Sequence, residues 1–439
     1  MAWTRLTVPL LILTGLSATG LLAPFAQAES GPCIPGTNEP TCQIWKAKVF
    51  ATADGDTFNA KIWEGGQWSK RKDIRLLGVQ AMELNDYSRA HGREGDCHAV
   101  PAAERLEELL QGPTTERRIV RLAAFQESSK TAGARGRLRR GVAYKQGDTW
   151  HDVATTLIRE GHGLWARNRK ESAWNDRSTL AEQAAREGIG IWDTDACGAG
   201  PAQDVPFLMK VKWNADGHDG QNVNGEWVRI TNTHPTSTVA LRGWWLRDAH
   251  ARRYDFPDWA VLGPGMSLRV HVGWGTNTPT DLFWGEPKPI LENLDGGPHG
   301  VGDGAFLFDP QGDLRGYAQY PCRLDCHEPL QGKVAITAHP IDPESITVAN
   351  VSTEWVGLYQ YEIESVPYFY EFGPASILPP GYSITVVARQ SPAADSPLLR
   401  GWGLPNFILN NRQDVVTLRN PLGAPVTCAA WGGKSCPSF

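Results

Sequence analysis

The sequence predicts a multidomain chain: one small α+β barrel followed by two all-β sandwiches. Three observations predict it. The length of 439 residues suggests about three domains at roughly 150 residues apiece. Hydrophobic residues at 41% and charged residues at 21% describe a chain able to bury real cores, which excludes a disordered or collagen-like polymer. With 46 Gly, 31 Pro and 18 Trp, many short strands joined by turns are favoured over a helical bundle.

Taken in order, residues 1–28 form a signal-peptide pattern. Arg5 gives a positive start, Leu6 to Leu22 is mostly apolar, and Ala26-Gln27-Ala28 has the small-x-small form of a cleavage site. No later stretch is long and apolar enough to span a bilayer, so the expectation is a secreted, extracellular protein. Residues 29–43 read as a leader segment, and the first domain as 44–196. Within it, strands are expected at 44–51, 57–62, 74–79, 118–123 and 141–144, and helices at 100–110, 152–160 and 177–187. Ala103, Leu106 and Leu110 mark one face of the first helix, while Gly161 and Gly188 end the other two. Five strands with interspersed helices fit a small barrel.

Beyond Cys197 helical periodicity disappears and an internal repeat begins. Val261 to Leu268 matches Ile377 to Ile384, Gly273-Trp274-Gly275 is aligned with Gly401-Trp402-Gly403, and Asp303 with Asp414. Two tandem sandwiches, 207–322 and 330–436, are the simplest reading. In an exported chain, an even set of eight cysteines without a C-x-x-C pair implies disulfides. Proximity suggests Cys33–Cys42, Cys322–Cys326 and Cys428–Cys436, which leaves Cys97 for Cys197. The net charge of −5 argues against a chain that is basic throughout. Positive charge nevertheless gathers at Lys130, Arg135, Arg137, Arg139 and Arg140, where it could attract a polyanion.

Asp54-Gly55-Asp56-Thr57 lies between two expected strands, where Asp-Gly is ordinarily a hairpin turn. It is followed by Ile74-Arg75-Leu76-Leu77-Gly78-Val79, then Glu83, and later by Arg140-Gly141-Val142-Ala143-Tyr144. This order of motifs, closed by Ala184 through Gly190-Ile191-Trp192, resembles the staphylococcal nuclease (thermonuclease) family over about residues 44–196. The resemblance implies an OB-type barrel with three helices. It implies that Arg75 and Arg140 hold the scissile phosphate and that Glu83 activates the attacking water. It also implies that Asp56 ligates Ca2+, with Asp54 and Thr57 supporting the loop. Arg137 and Arg139 are added as substrate contacts from the basic cluster. The chemistry is coherent: guanidinium forks match phosphoryl oxygens, and a carboxylate can take a proton from water.

Three departures stand out. Gln80-Ala81-Met82-Glu83 replaces the family's D-T-P-E, so an amide stands where an anionic ligand is expected. Gln80 could still offer its carbonyl oxygen and Ala81 its backbone carbonyl, with a weaker hold on Ca2+. Leu138 occupies an expected tyrosine position, and Arg167 and Arg169 take expected aromatic ones, which favours phosphate contact over base stacking. Downstream, Gly225 to Asn232, Leu241 to Asp248 and the Pro264-Gly265 turn resemble the lamin-tail domain, an immunoglobulin-like sandwich, with a diverged second copy after it. The expected function is a Ca2+-dependent, sequence-tolerant endonuclease acting as a monomer on DNA or RNA. The alternative is a non-catalytic nucleic-acid-binding or adhesion protein.

Overall fold

The computed structural model describes residues 29–437, apart from 38–39, 85–94, 112–117, 126–135, 168–170, 175–176, 294–301, 321, 323, 325–329, 406 and 422. The expected signal peptide, Lys130, Arg135, Arg169 and Cys326 lie outside the described residues. Among the described residues no helix is long and apolar enough to cross a membrane.

The N-terminal unit begins with β1 (Glu29–Pro32), β2 (Thr41–Asp54), β3 (Thr57–Glu64), β4 (Gln67–Trp68), β5 (Lys72–Leu76) and β6 (Val79–Gln80). Then come α1 (Ala99–Gln111), β7 (Ile119–Ala124), β8 (Leu138–Gln146), β9 (Thr149–Asp152), α2 (Val153–Arg159), β10 (Leu164–Trp165) and α3 (Ser178–Glu187). Pairing runs β2-β7-β8-β5-β3, and β3 returns to β2, so hydrogen bonds close a ring of strands. Inside it, alternate residues such as Phe58, Ile62, Ile74, Leu122 and Val142 are buried, as the two-residue strand period requires. α1 buries Ala99, Ala102, Leu106, Leu109 and Leu110 against this core; Ala103 sits only at the edge of that face. Asp152 caps α2 by accepting from the Thr155 amide at 2.8 Å, and left-handed Gly188 ends α3.

Two expectations change. Residues 29–43 are not a separate leader: β1 pairs with the start of β2, Cys33 bonds Cys42, and Ile34 packs with Leu77 and Trp174. The strand expected over 74–79 breaks at Leu77-Gly78. There Gly78 adopts φ +81, and a Cβ would meet the Trp174 carbonyl at 2.9 Å. The chain therefore turns, and β6 joins β10 instead.

The first sandwich contains β11 (Phe207–Lys212), β12 (Trp227–Asn232), β13 (Val239–Ala240), β14 (Trp245–Asp248) and β15 (Arg253–Asp255). It continues with β16 (Val261–Leu262), β17 (Ser267–His271), β18 (Asp281–Phe283), β19 (Asp303–Phe308) and β20 (Leu314–Tyr320). The second sandwich contains β21 (Val334–His339), β22 (Ser345–Asn350), β23 (Val356–Gly357), β24 (Glu362–Ser365) and β25 (Tyr368–Glu371). Its later strands are β26 (Ile377–Leu378), β27 (Ser383–Val387), β28 (Leu399–Gly401), β29 (Asp414–Arg419) and β30 (Pro425–Trp431). Sheet orders β11-β12-β17-β18 and β15-β14-β19-β20 recur as β21-β22-β27-β28 and β25-β24-β29-β30.

The repeat is thus structural, element for element, and corrects one alignment. Leu399 pairs with Thr385 as Asp281 does with Arg269, so Gly401-Trp402-Gly403 corresponds to Phe283-Trp284-Gly285 rather than to Gly273-Trp274-Gly275. The backbone amide of Trp284 donates to His271 O at 2.7 Å and that of Trp402 to Val387 O at 3.0 Å, in the same place. Each copy is also tied by a buried glutamate. Glu226 Oε2 accepts from the Ile290 and Leu291 amides, and Glu344 Oε2 from those of Ile408 and Leu409. A buried asparagine follows six residues later in each, Asn232 and Asn350, bonded to Leu262 O and Leu378 O.

The three units are fused. The outward residues of the β14 and β19 sheet, Trp245, Phe306 and Phe308, join the core of the N-terminal unit, while Leu246 and Leu307 face the sandwich interior. Cys97 and Cys197 are bonded with Cα atoms 6.0 Å apart, and the Cys197 amide donates to Asp313 at 2.8 Å. Lys210 and Arg229 of the first sandwich meet Glu362 and Glu371 of the second at 2.9–3.2 Å. Cys428 bonds Cys436 as expected.

Candidate functional site

The Asp54–Thr57 segment is both a hairpin turn and the floor of a polar cluster. Asp54 Oδ1 accepts the Asp56 amide at 3.1 Å, holding the turn between β2 and β3. Gly55 is required by proximity: a Cβ there would stand 2.6 Å from the Ala81 Cβ and 2.7 Å from that of Ala102 on α1. The loop therefore passes directly beneath the start of the 81–84 segment.

Asp56 is buried at the centre. Its Oδ1 accepts from the Thr57 hydroxyl at 3.0 Å, its Oδ2 from the Ala81 amide at 2.9 Å, and it ion-pairs with Arg75 Nη1. Arg75 reaches it because β5 pairs with β3, Thr57 opposite Arg75. The second guanidinium nitrogen donates to Gln80 Oε1. Gln80 Nε2 in turn donates to Glu83 Oε1 at 3.0 Å and to Ala81 O at 3.3 Å. Gln80 is therefore a bridge from arginine to glutamate, and its carbonyl oxygen is not the open donor the sequence suggested.

Glu83 is held at its backbone by Asp96, whose amide donates to Glu83 O at 2.9 Å and whose Oδ2 accepts the Glu83 amide at 3.2 Å. Burial pushes the Asp56 carboxyl up to about 7; Arg75 opposes this, and Asp54 and Glu83 reinforce it. Burial and Asp54 likewise raise Glu83, opposed by Arg75 and by Arg247 of the first sandwich.

The other arginines divide. Arg139 is the register partner of Arg75 on β8 and is exposed, and Arg137 donates to Thr57 Oγ1 at 3.3 Å, so both border the cluster. Arg140, expected beside Arg75, sits elsewhere. It is buried one position along the alternating strand, stacks over Trp45 at 4.8 Å and donates to Arg139 O at 2.8 Å. Burial lowers its pKa to about 10, against the charges of Glu171 and Glu64. Leu138, on the same face, is part of the core, which accounts for the missing tyrosine. Arg167 is buried at the junction with the first sandwich, donating to Asn293 O at 3.0 Å, and is not placed for phosphate contact. The acidic and amide residues 216–226 form a turn network, with Asp219 accepting from the Ala215 amide and from the Asn293 side chain.

Sequence reasoning missed Asp96, Arg247 and the bridging role of Gln80. Asp96 adjoins Cys97, but adjacency alone carries no functional signal. Arg247 is 165 positions from the Met82 it touches, beyond any local pattern.

Residues 212–321 match the family model of the Lamin Tail Domain. No curated protein matches the chain.

Proposed function

We propose that the chain is an exported, Ca2+-dependent endonuclease hydrolysing phosphodiester bonds of DNA or RNA with little sequence preference, its strand ring being an OB-type barrel. The observation that carries the reading is the hydrogen-bonded series Asp56–Arg75–Gln80–Glu83, bordered by Arg137 and Arg139. A guanidinium, a carboxylate base and further cations in one place suit a phosphodiester whose oxygens gain charge in the transition state.

Each side chain has a stated task. Arg75 presents the fork that matches phosphoryl oxygens, its position fixed by Asp56. Glu83 takes the proton of the attacking water; its raised pKa brings it nearer the working range of a general base. Gln80 fixes the Glu83 carboxylate by donating to it without adding a competing charge. Arg137 and Arg139 attract the backbone without reading bases. Asp54, Asp56 and Glu83, with the Ala81 carbonyl, offer hard oxygens of the chemistry Ca2+ takes, and the charge of Asp54 raises both Asp56 and Glu83. Bound there, Ca2+ would supply neutralisation of charge on the phosphate.

The test is degradation of plasmid DNA and of RNA by the full chain, with Ca2+ and with chelator. Cleavage that requires Ca2+ and falls about 10²- to 10⁴-fold in Glu83→Gln supports the reading. Retained nucleic-acid binding without cleavage at any Ca2+ level would replace it with the non-catalytic binding protein.

A further inference from the structure

The first sandwich turns two arginines onto the segment that carries Glu83. Arg247 and Arg253 are directly opposed on β14 and β15, so both guanidinium groups leave the same face of the sheet. Like charges placed opposite each other are ordinarily unfavourable, so this pair needs carboxylates in front of it. Arg253 has both Asp255 on its own strand, to which its Nε donates at 2.9 Å, and Asp96 of the N-terminal unit at 3.8 Å, the residue that holds the Glu83 backbone from both sides. Arg247 is almost wholly buried and lays Nη1 against Met82 Sδ at 3.3 Å, one residue before Glu83. Its Nε is anchored on Asp248 O at 3.1 Å, and the charges of Asp96, Glu83 and Asp56 all act on it.

The second sandwich serves as an internal control. Its β24 and β25 have Glu364 opposite Phe369 where β14 and β15 have Arg247 opposite Arg253. Glu364 is answered within its own sheet by Arg419 at 2.6 Å. The arginine pair is therefore not demanded by the sandwich fold; it belongs to the copy that abuts the N-terminal unit.

We propose that Arg247 and Arg253 are positioning residues of the active site, and that the first sandwich is a working part of it because it fixes the Met82–Glu83 backbone. This rests on the nuclease reading above.

The test uses full-length chains carrying Arg247→Met, Arg247→Lys, Arg253→Met and Arg252→Met. Arg252 is the exposed neighbour of Arg253 and pairs with Asp248 at 2.7 Å, within its own sandwich. For hydrolysis of a DNA oligonucleotide in Ca2+, Arg247→Met and Arg253→Met should lose roughly 10- to 100-fold in kcat with little change in KM. Arg247→Lys should recover part of the loss, and Arg252→Met should behave as wild type. Hydrogen exchange at the Glu83 and Asp96 amides should quicken in the first two variants but not in Arg252→Met. Should Arg247→Met fail to fold, Arg253→Met carries the same comparison. An active wild type whose Arg247→Met and Arg253→Met forms keep full kcat and unaltered exchange overturns the positioning role alone. A raised KM with unchanged kcat overturns it too. An inactive wild type overturns the nuclease reading, and exchange then decides by itself whether the arginines fix this segment.

Discussion

The two sandwiches share a skeleton and differ in what their outer faces meet. Both keep the buried glutamate under a pair of amides, the asparagine at the strand end and the left-handed glycine of the Pro-Gly turn. On the outward face of the β14 sheet, the first copy carries Trp245 and Arg247 against the N-terminal unit. The second carries Glu362 and Glu364 at those positions, paired to Lys210 and Arg419. Residues that satisfy buried backbone groups repeat because the fold needs them in both copies. Residues on the outer face follow the neighbour, and so they diverge.

The largest test of this contrast is Trp245→Ala. Trp245 stacks on Phe308 at 4.0 Å within the joint core, and its loss should cost about 3–5 kcal/mol by chemical denaturation. Glu362→Ala, at the matching position, should cost less than half as much; equal costs would break the distinction. Next come Glu226→Ala and Glu344→Ala, each leaving two buried amides unpaired. Each should cost about 2–3 kcal/mol, and a clear inequality would show that the shared latch is not equivalent.

A third test concerns His250, which the second copy lacks. It spans the junction, its Nε2 2.7 Å from Arg167 O and its Nδ1 3.6 Å from Asp303. Burial alone would lower its pKa, but Asp303 and Asp248 outweigh it and raise the value to about 9. A group raised in the folded state gives stability that is complete below the unfolded value near 6.5 and lost as pH rises through about 9. The melting temperature should fall across that window, and His250→Gln should flatten this part of the profile. The smallest effects belong to Gly265→Ala and Gly381→Ala. With φ +67 and +77 and no neighbour within 4 Å, both should lose about 1 kcal/mol, for conformational reasons alone and equally.

The sequence made most elements legible because their signals are local. Short runs of strand length marked the strands, Asp152 and Gly188 bounded helices, and the Pro-Gly turn exposed the repeat. It misplaced the second Gly-Trp-Gly because parallel pairing of β28, not residue identity, decides which tryptophan is equivalent. It grouped Arg140 with Arg75 although a single step in strand phase, Arg139 facing out and Arg140 buried, separates them. Gln80 was legible as a missing charge but not as a bridge, since its partners are fixed by the turn at Gly78. Arg247 was invisible because its meaning depends on how two units meet.

That meeting also sets a schedule. Trp192 ends the N-terminal unit, yet it packs edge-on against Phe306, which is made more than a hundred residues later. At ordinary rates of synthesis the gap is on the order of 10 s, during which the first unit has an apolar face with nothing to cover it. Folding of the N-terminal third is thereby made to wait on chain made afterwards. A chain stopped short of β19 would leave that face to whatever binds nascent apolar surface.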